Sequence, residues 1–184
     1  MKIVIDRMNL LRPLGHVSSV VERRNTIPIL ANIVLRAESS KLSLTATDMD
    51  MDIITELDCS VIQEGSCTAP AHLLYDIIRK LPDGSEVSIH VADGNAQISA
   101  GRSSFKVPTL PVDDFPAFNT SDLPVKFALT TADLRHQIDM TRFAISTEET
   151  RYYLNGIYFH KSDSGALAAV ATEGHRLALA RIDM

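Results

Sequence analysis

Eight residue pairs recur along this chain at a nearly constant separation. A shift of 124 positions lays Lys2, Leu10, Thr26, Leu30 and Ile33 over Lys126, Leu134, Thr150, Leu154 and Ile157. One inserted residue later, Leu42, Ala46 and Thr47 fall over Leu167, Ala171 and Thr172. Identities this sparse are weak evidence alone, so the repeat draws its weight from a shared order of predicted elements, the mark of stacked like units. The expected division is a first unit over 1–120 and half of a second over 121–184, which would halt at Met184 opposite Cys59 of the first. On that reading the chain is an N-terminal fragment of something longer.

The first unit itself reads as two like halves. Lys2 to Ile5 is a short β-branched run, and Asp6 can cap a helix whose apolar residues Leu10, Leu14, Val17 and Val21 share one face. Pro13 must lie in its first turn or kink it. Runs Ile29–Leu35, Leu42–Thr47 and Ile53–Val61 follow as antiparallel strands, with a turn at Ser39 and Ser40. A brief extended stretch, Cys67 to Ala69, then leads through Pro70 into a second helix that stops near Leu81, before Pro82-Asp83-Gly84. Strands Val87–Val91, Gln97–Ala100 and Ser104–Val107 close the unit, the first two joined at Asp93-Gly94. Strand, helix, three strands, and then the same again is an α+β pattern. Pro108 to Pro124, with four prolines, reads as a linker.

Composition excludes several classes of function. With 184 residues, 45% hydrophobic and 22% charged, the chain can bury a core. A net charge of -5 argues against coating nucleic acid over the whole surface, although a local basic face remains open. Cys59 and Cys67 make neither a metal-ligand pair nor a disulfide framework, which fits a reducing cytoplasm. Asp6 and Arg7 interrupt the N-terminus before a signal peptide could form, and no long apolar run suggests a membrane span.

No phosphate loop, dinucleotide turn or metalloprotease pair occurs, and the six histidines are scattered, so no catalytic residue, metal or cofactor is assigned. Asp48, Asp50 and Asp52 alternate with Met49, Met51 and Ile53, as in a strand with acids on one face. The plain reading is a solvated face. A magnesium-dependent nuclease using those acids is a rival.

Charge is sorted by element. Opposite the apolar stripe of the first helix lie Arg12, His16, Ser19 and Arg23, with Arg24 adjacent. Residues 1–36 carry six bases and two acids, whereas 37–70 carry one base and seven acids. On the second helix His72, Tyr75, Asp76 and Arg79 are expected to face away from Leu73, Leu74, Ile77 and Leu81. Basic helices on one side of a sheet can meet phosphates without reading bases.

Five stretches together resemble the bacterial DNA polymerase III beta subunit family, the DNA sliding clamps. They are RRNTIPILANIVL (23–35), LSLTATDMDMDI (42–53), SFKVPTLPVDDFPAF (104–118), RYYLNGIYF (151–159) and VATEGHRLAL (170–179). The resemblance implies the DNA clamp fold, with helices on one side of each domain and antiparallel sheets on the other. It implies three like domains per full-length chain and a head-to-tail homodimeric ring around double-stranded DNA, with no catalysis by the clamp itself. Without a third domain the chain is not expected to close a normal ring. The implied partners are the DNA polymerase III catalytic subunit, the clamp loader, and other polymerases and repair proteins bearing clamp-binding peptides. Matching motifs imply DNA contacts at Arg24, Tyr152 and Tyr153, whereas His72 and Glu148 depart from the family's pattern at DNA-facing places. Leu154, Thr172, Gly174, His175, Arg176 and Leu177 match its peptide-binding pocket. The plainer readings are strand packing for the tyrosine pair and core packing for Leu177. A DNA-binding or interaction module that does not encircle is the other alternative.

Overall fold

Asp6 ends the first strand and begins the first helix. In the computed structural model, which describes residues 1–22, 26–116 and 127–183, its carboxylate accepts from the Met8 and Asn9 backbone N–H groups at 2.8 and 3.2 Å. Two donors that no helical turn could satisfy are thereby paired. Strand β1 (Lys2–Asp6) leads into helix α1 (Arg7–Ser18). Pro13 lies mid-helix, so the bond its N–H would give to Asn9 is missing and the helix continues past it. Leu10, Leu14, Val17 and, beyond the helix end, Val21 are all buried.

The remaining elements of the first unit, Met1–Thr120, are β2 (Asn32–Glu38), β3 (Lys41–Thr47), β4 (Asp52–Asp58), β5 (Ser60–Gln63), β6 (Gly65–Pro70), α2 (Ala71–Lys80), β7 (Glu86–Ala92), β8 (Asn95–Ala100) and β9 (Ser103–Pro108). Two sheets form, in the orders β5-β1-β7-β8-β9 and β4-β3-β2-β6. Each half-unit lends its first strand to the other. β1 pairs with β7, placing Ile3 opposite Ile89 and Ile5 opposite Val87. β6 pairs with β2, placing Ala69 opposite Ile33 and Cys67 opposite Leu35. The inner faces of both sheets and the stripes of both helices close over one core, including Ile3, Leu10, Leu14, Leu35, Leu44, Leu74, Ile78 and Ile98. Burial also pushes the Cys67 thiol up to about 12.

Several sequence expectations need correction. Residues 28–31 are a 3-10 turn, not strand, because Pro28 at its start has no N–H for a ladder. The apparent strand Ile53–Val61 breaks at Cys59, and its two parts join different sheets. The Cys59 N–H there donates to the Ser40 carbonyl at 3.0 Å. Asp48 to Met51 is a turn, not an alternating strand. The Asp48 carboxylate accepts from the N–H groups of Asp50 and Met51, and Met49 has φ +80°. Met49 and Met51 are consequently exposed, not core. On α2, Leu73 is exposed and Ile78 takes the core position. Part of the expected linker instead packs on the first unit, where the Leu110 N–H donates to the Thr68 hydroxyl at 2.7 Å. Its remainder, 117–126, lies outside the described residues.

The second unit, Ser121–Met184, contains α3 (Thr131–Thr141), β10 (Tyr158–Lys161), β11 (Leu167–Thr172) and β12 (Leu177–Ile182). Shifted by 124 or 125 positions, these fall on α1, β2, β3 and β4. Thr130 caps α3 by accepting from Asp133 N–H, in the place where Asp6 caps α1. The three strands form one sheet, β10-β11-β12. The small core includes Ala144, Ala171 and Ala178. Among the described residues no helix is long and apolar enough to cross a membrane.

Candidate nucleic-acid and peptide interfaces

In the first unit the cationic face of α1 is free of the core that holds its other face. Arg12, His16 and Ser19 are all exposed. The Ser19 hydroxyl and N–H both donate to the His16 carbonyl, at 2.7 and 3.2 Å, closing the helix end. Arg23 and Arg24 lie outside the described residues.

Helix α2 packs closely beside α1, and a Cβ placed on Gly15 would come within 3.2 Å of the Tyr75 ring. His72 spans the same seam. Its Nε2 lies 2.8 Å from the Val21 carbonyl, which can only accept, so this nitrogen carries the proton. The imidazole thus ties α2 to the chain just beyond α1, a use its sequence context did not reveal. Arg79 pairs with Asp76 at 3.0 Å and lies over the Tyr75 ring at 5.7 Å. Arg7, counted with the basic residues of this segment, is buried instead. Its Nε and Nη2 donate to the Ile78 and Arg79 carbonyls at 2.9 and 2.7 Å, and Nη1 pairs with Asp83. It therefore caps the C-terminus of α2, where a cation also meets the negative helix end.

In the second unit Tyr152 and Tyr153 occupy a 3-10 segment, Glu149–Leu154, and not a strand. They are 79% and 71% exposed, which removes the strand-packing reading. Their rings meet edge to face at 5.8 Å. Glu148, at the head of this segment, pairs with Arg151 Nε at 3.0 Å, which offsets its charge. The Arg151 guanidinium also donates to the Glu173 carbonyl at 3.3 Å, binding the segment that carries Leu154 to the turn between β11 and β12.

That turn gathers Thr172, Gly174, His175, Arg176 and Leu177. The Thr172 hydroxyl donates to the Arg176 carbonyl at 2.7 Å and accepts from the Gly174 N–H at 3.1 Å. Gly174 has φ +99°, a left-handed conformation that other residues adopt only with strain. Arg176 pairs with Glu173 at 3.0 Å and lies over the Phe143 ring at 5.9 Å. Leu177 is 64% exposed. Antiparallel register puts Thr172 beside Leu177, and Tyr158, Val170 and Leu179 on the same outer face. Sequence reading missed these last three, although the alternation Leu177, Leu179 carried the signal.

The profile of the DNA polymerase III beta subunit N-terminal domain matches residues 1–119, and that of the central domain matches 128–184. The chain belongs to the DNA polymerase III beta subunit family. It is 56% identical to the beta sliding clamp of Caulobacter vibrioides over 99% of its own length and 50% of that relative's. A solved Caulobacter crescentus pol III beta structure matches with a TM-score of 0.95 at 56% identity, across the whole of this chain and 50% of that one. A sliding clamp from Bartonella birtlesii, solved bound to griselimycin, matches with a TM-score of 0.95 at 45% identity, again across the whole of this chain and 50% of that one. The chain thus spans about half the length of the relatives it matches. The clamp fold, helices against antiparallel sheets, is common to all of them.

Proposed function

We propose that this chain is part of a replication processivity factor, a non-catalytic sliding clamp that acts in the cytoplasm. In this reading residues 1–120 make one clamp domain and 121–184 begin a second. Full-length chains pair head to tail as a ring around double-stranded DNA. The observation that carries the reading is the repeated module whose first helix buries Leu10, Leu14 and Val17 while presenting Arg12, His16 and Ser19 outward.

A ring that cannot fall off needs no tight grip. Its phosphate contacts are weak, mobile and indifferent to sequence, and an acidic exterior discourages binding elsewhere. Arg12, Arg23, Arg24, Tyr152 and Tyr153 are assigned to that contact. His72 is assigned to holding the helix end and Glu148 to orienting Arg151. Tethering then raises the effective concentration of polymerase at the template.

The partner-peptide site is assigned to Leu154, Thr172, Gly174, His175, Arg176 and Leu177. It would receive segments of the DNA polymerase III catalytic subunit, the clamp loader, and other polymerases and repair proteins. Leu177 offers apolar surface to an anchor side chain, and the Arg176 stem lines the wall. The test is retention of full-length protein on plasmid after clamp-loader action. Retention on circular DNA and rapid loss on linear DNA is expected, and equal retention on both would overturn the ring.

A further inference from the structure

The repeat that relates the units also relates their outer sheet faces. In the second unit Tyr158, Val170 and Leu179 form one cross-strand row, with Thr172 and Leu177 forming the next. The corresponding rows in the first unit are Val34, Thr45 and Ile54, then Thr47 and Asp52. Even the turns agree. The Thr47 hydroxyl donates to the Met51 carbonyl and accepts from the Met49 N–H, both at 3.0 Å, as Thr172 does with Arg176 and Gly174. Met49 and Gly174 share the left-handed conformation.

Over this first-unit face the segment 112–116 supplies a wall. Val112, Phe115 and Pro116 stand beside Val34, Thr45 and Ile54, enclosing a groove of about 540 Å³. That volume is within the range of ligand clefts. Its ends are charged. Asp52 lies at one end and Arg36 with Ser43 at the other, while Asp113 belongs to the wall. Neither Asp52 nor Arg36 is in an ion pair among the described residues, whereas nearby Glu56 is already paired with Lys41 at 3.2 Å. In the second unit the place of Asp52 is taken by Leu177 and that of Asp50 by His175, so the two faces differ in charge.

We infer that this groove is a second peptide-docking site, selective for an extended segment of the pattern basic-x-apolar-x-acidic. Side chains two apart on a strand point the same way and advance roughly 7 Å, so positions one, three and five span roughly 13 Å. That is the reach from the Asp52 row, past the apolar row of Ile54, to the Arg36 row. The proposal rests on reading the second unit's face as peptide-binding, from which the repeat carries it over.

Titration of the isotope-labelled chain into the millimolar range with acetyl-Ala-Lys-Ser-Leu-Ser-Glu-Ala-amide, followed by amide NMR, tests it. Shifts are expected at Val34, Thr45 and Ile54. Asp52→Lys should weaken this peptide about fivefold and should strengthen its Lys-to-Glu analogue, as for an exposed ion pair turned repulsive. No shift on β2–β4, or affinities that ignore both changes, overturns the groove. A parallel titration with acetyl-Ala-Asp-Ser-Leu-Ala-Leu-Ala-amide reads Thr172 to Leu177. Response there without response on β2–β4 sinks the second site alone, and silence at both removes the reading on which it rests as well.

Discussion

The leading apolar position of the helix is sealed in one unit and open in the other. Leu10 of α1 is wholly buried, while Leu134, its counterpart on α3, is 40% exposed. In the first unit α2 and the β7–β9 sheet complete the core around α1, with Leu74, Ile77, Ile78 and Ile89 in the same cluster as Leu10. The described part of the second unit offers a core built on Ala144, Ala171 and Ala178. In the first unit the apolar stripe of α1 is sealed because the second half lends its own helix and strand. Interlocking of halves, and not helix propensity, holds the domain together.

Leu10→Ala breaks that comparison most strongly. It should cost about 3 kcal/mol through lost burial and a cavity, whereas Leu134→Ala should cost under about 1 kcal/mol. Paired urea titrations check this, and equal costs would mean the units are closed alike. Next comes the cap on α2. Arg7→Met abandons the Ile78 and Arg79 carbonyls and should cost about 2 kcal/mol, while Thr131→Ala at the matching, exposed place should stay within about 0.5 kcal/mol. Thermal melts suffice to separate them.

The two β-turns give a smaller pair of effects with opposite sign. Met49→Gly should stabilise by up to about 1 kcal/mol by relieving a left-handed residue, and Gly174→Ala should destabilise by about 1 kcal/mol for the same reason. Smallest is the alkaline response of β6. The folded Cys67 thiol holds its proton to about 12, against an ordinary value of 9.0. Above pH 9 the unfolded chain therefore loses a proton that the folded one keeps, and stability falls as pH rises. Up to pH 9.5 the loss is about 0.8 kcal/mol, and Cys67→Ala should abolish it in melts across that range.

Much of the fold was legible in local chemistry. The Asp6 cap, the stripe of α1, and the turns at Ser39-Ser40 and Asp93-Gly94 all rest on neighbours in sequence, and both turns have their residues in left-handed conformations. Long-range choices were not legible. Nothing in the run Ile53–Val61 marks Cys59 as the point where the chain leaves one sheet for another, because pairing of β5 with β1 decides it. The alternating acids misled for a related reason, since Asp48 uses its carboxylate on nearby backbone and so makes a turn.

For the site, motif resemblance located the Thr172–Leu177 turn, but only coordinates show Leu177 and the tyrosine pair exposed. His72 reads only as a DNA-facing position and Arg7 only as one of the basic residues, because their partners are backbone carbonyls 51 and 71–72 positions away.

Site-directed photo-crosslinking reaches the central claim most directly. A benzophenone attached through cysteine at position 12, on α1, or at position 54, on the outer sheet face, would be carried by full-length protein loaded on circular duplex. Efficient crosslinks to DNA from position 12, with none from position 54, are the expected result. DNA captured from position 54, with position 12 silent, would contradict a helix-lined passage for the duplex.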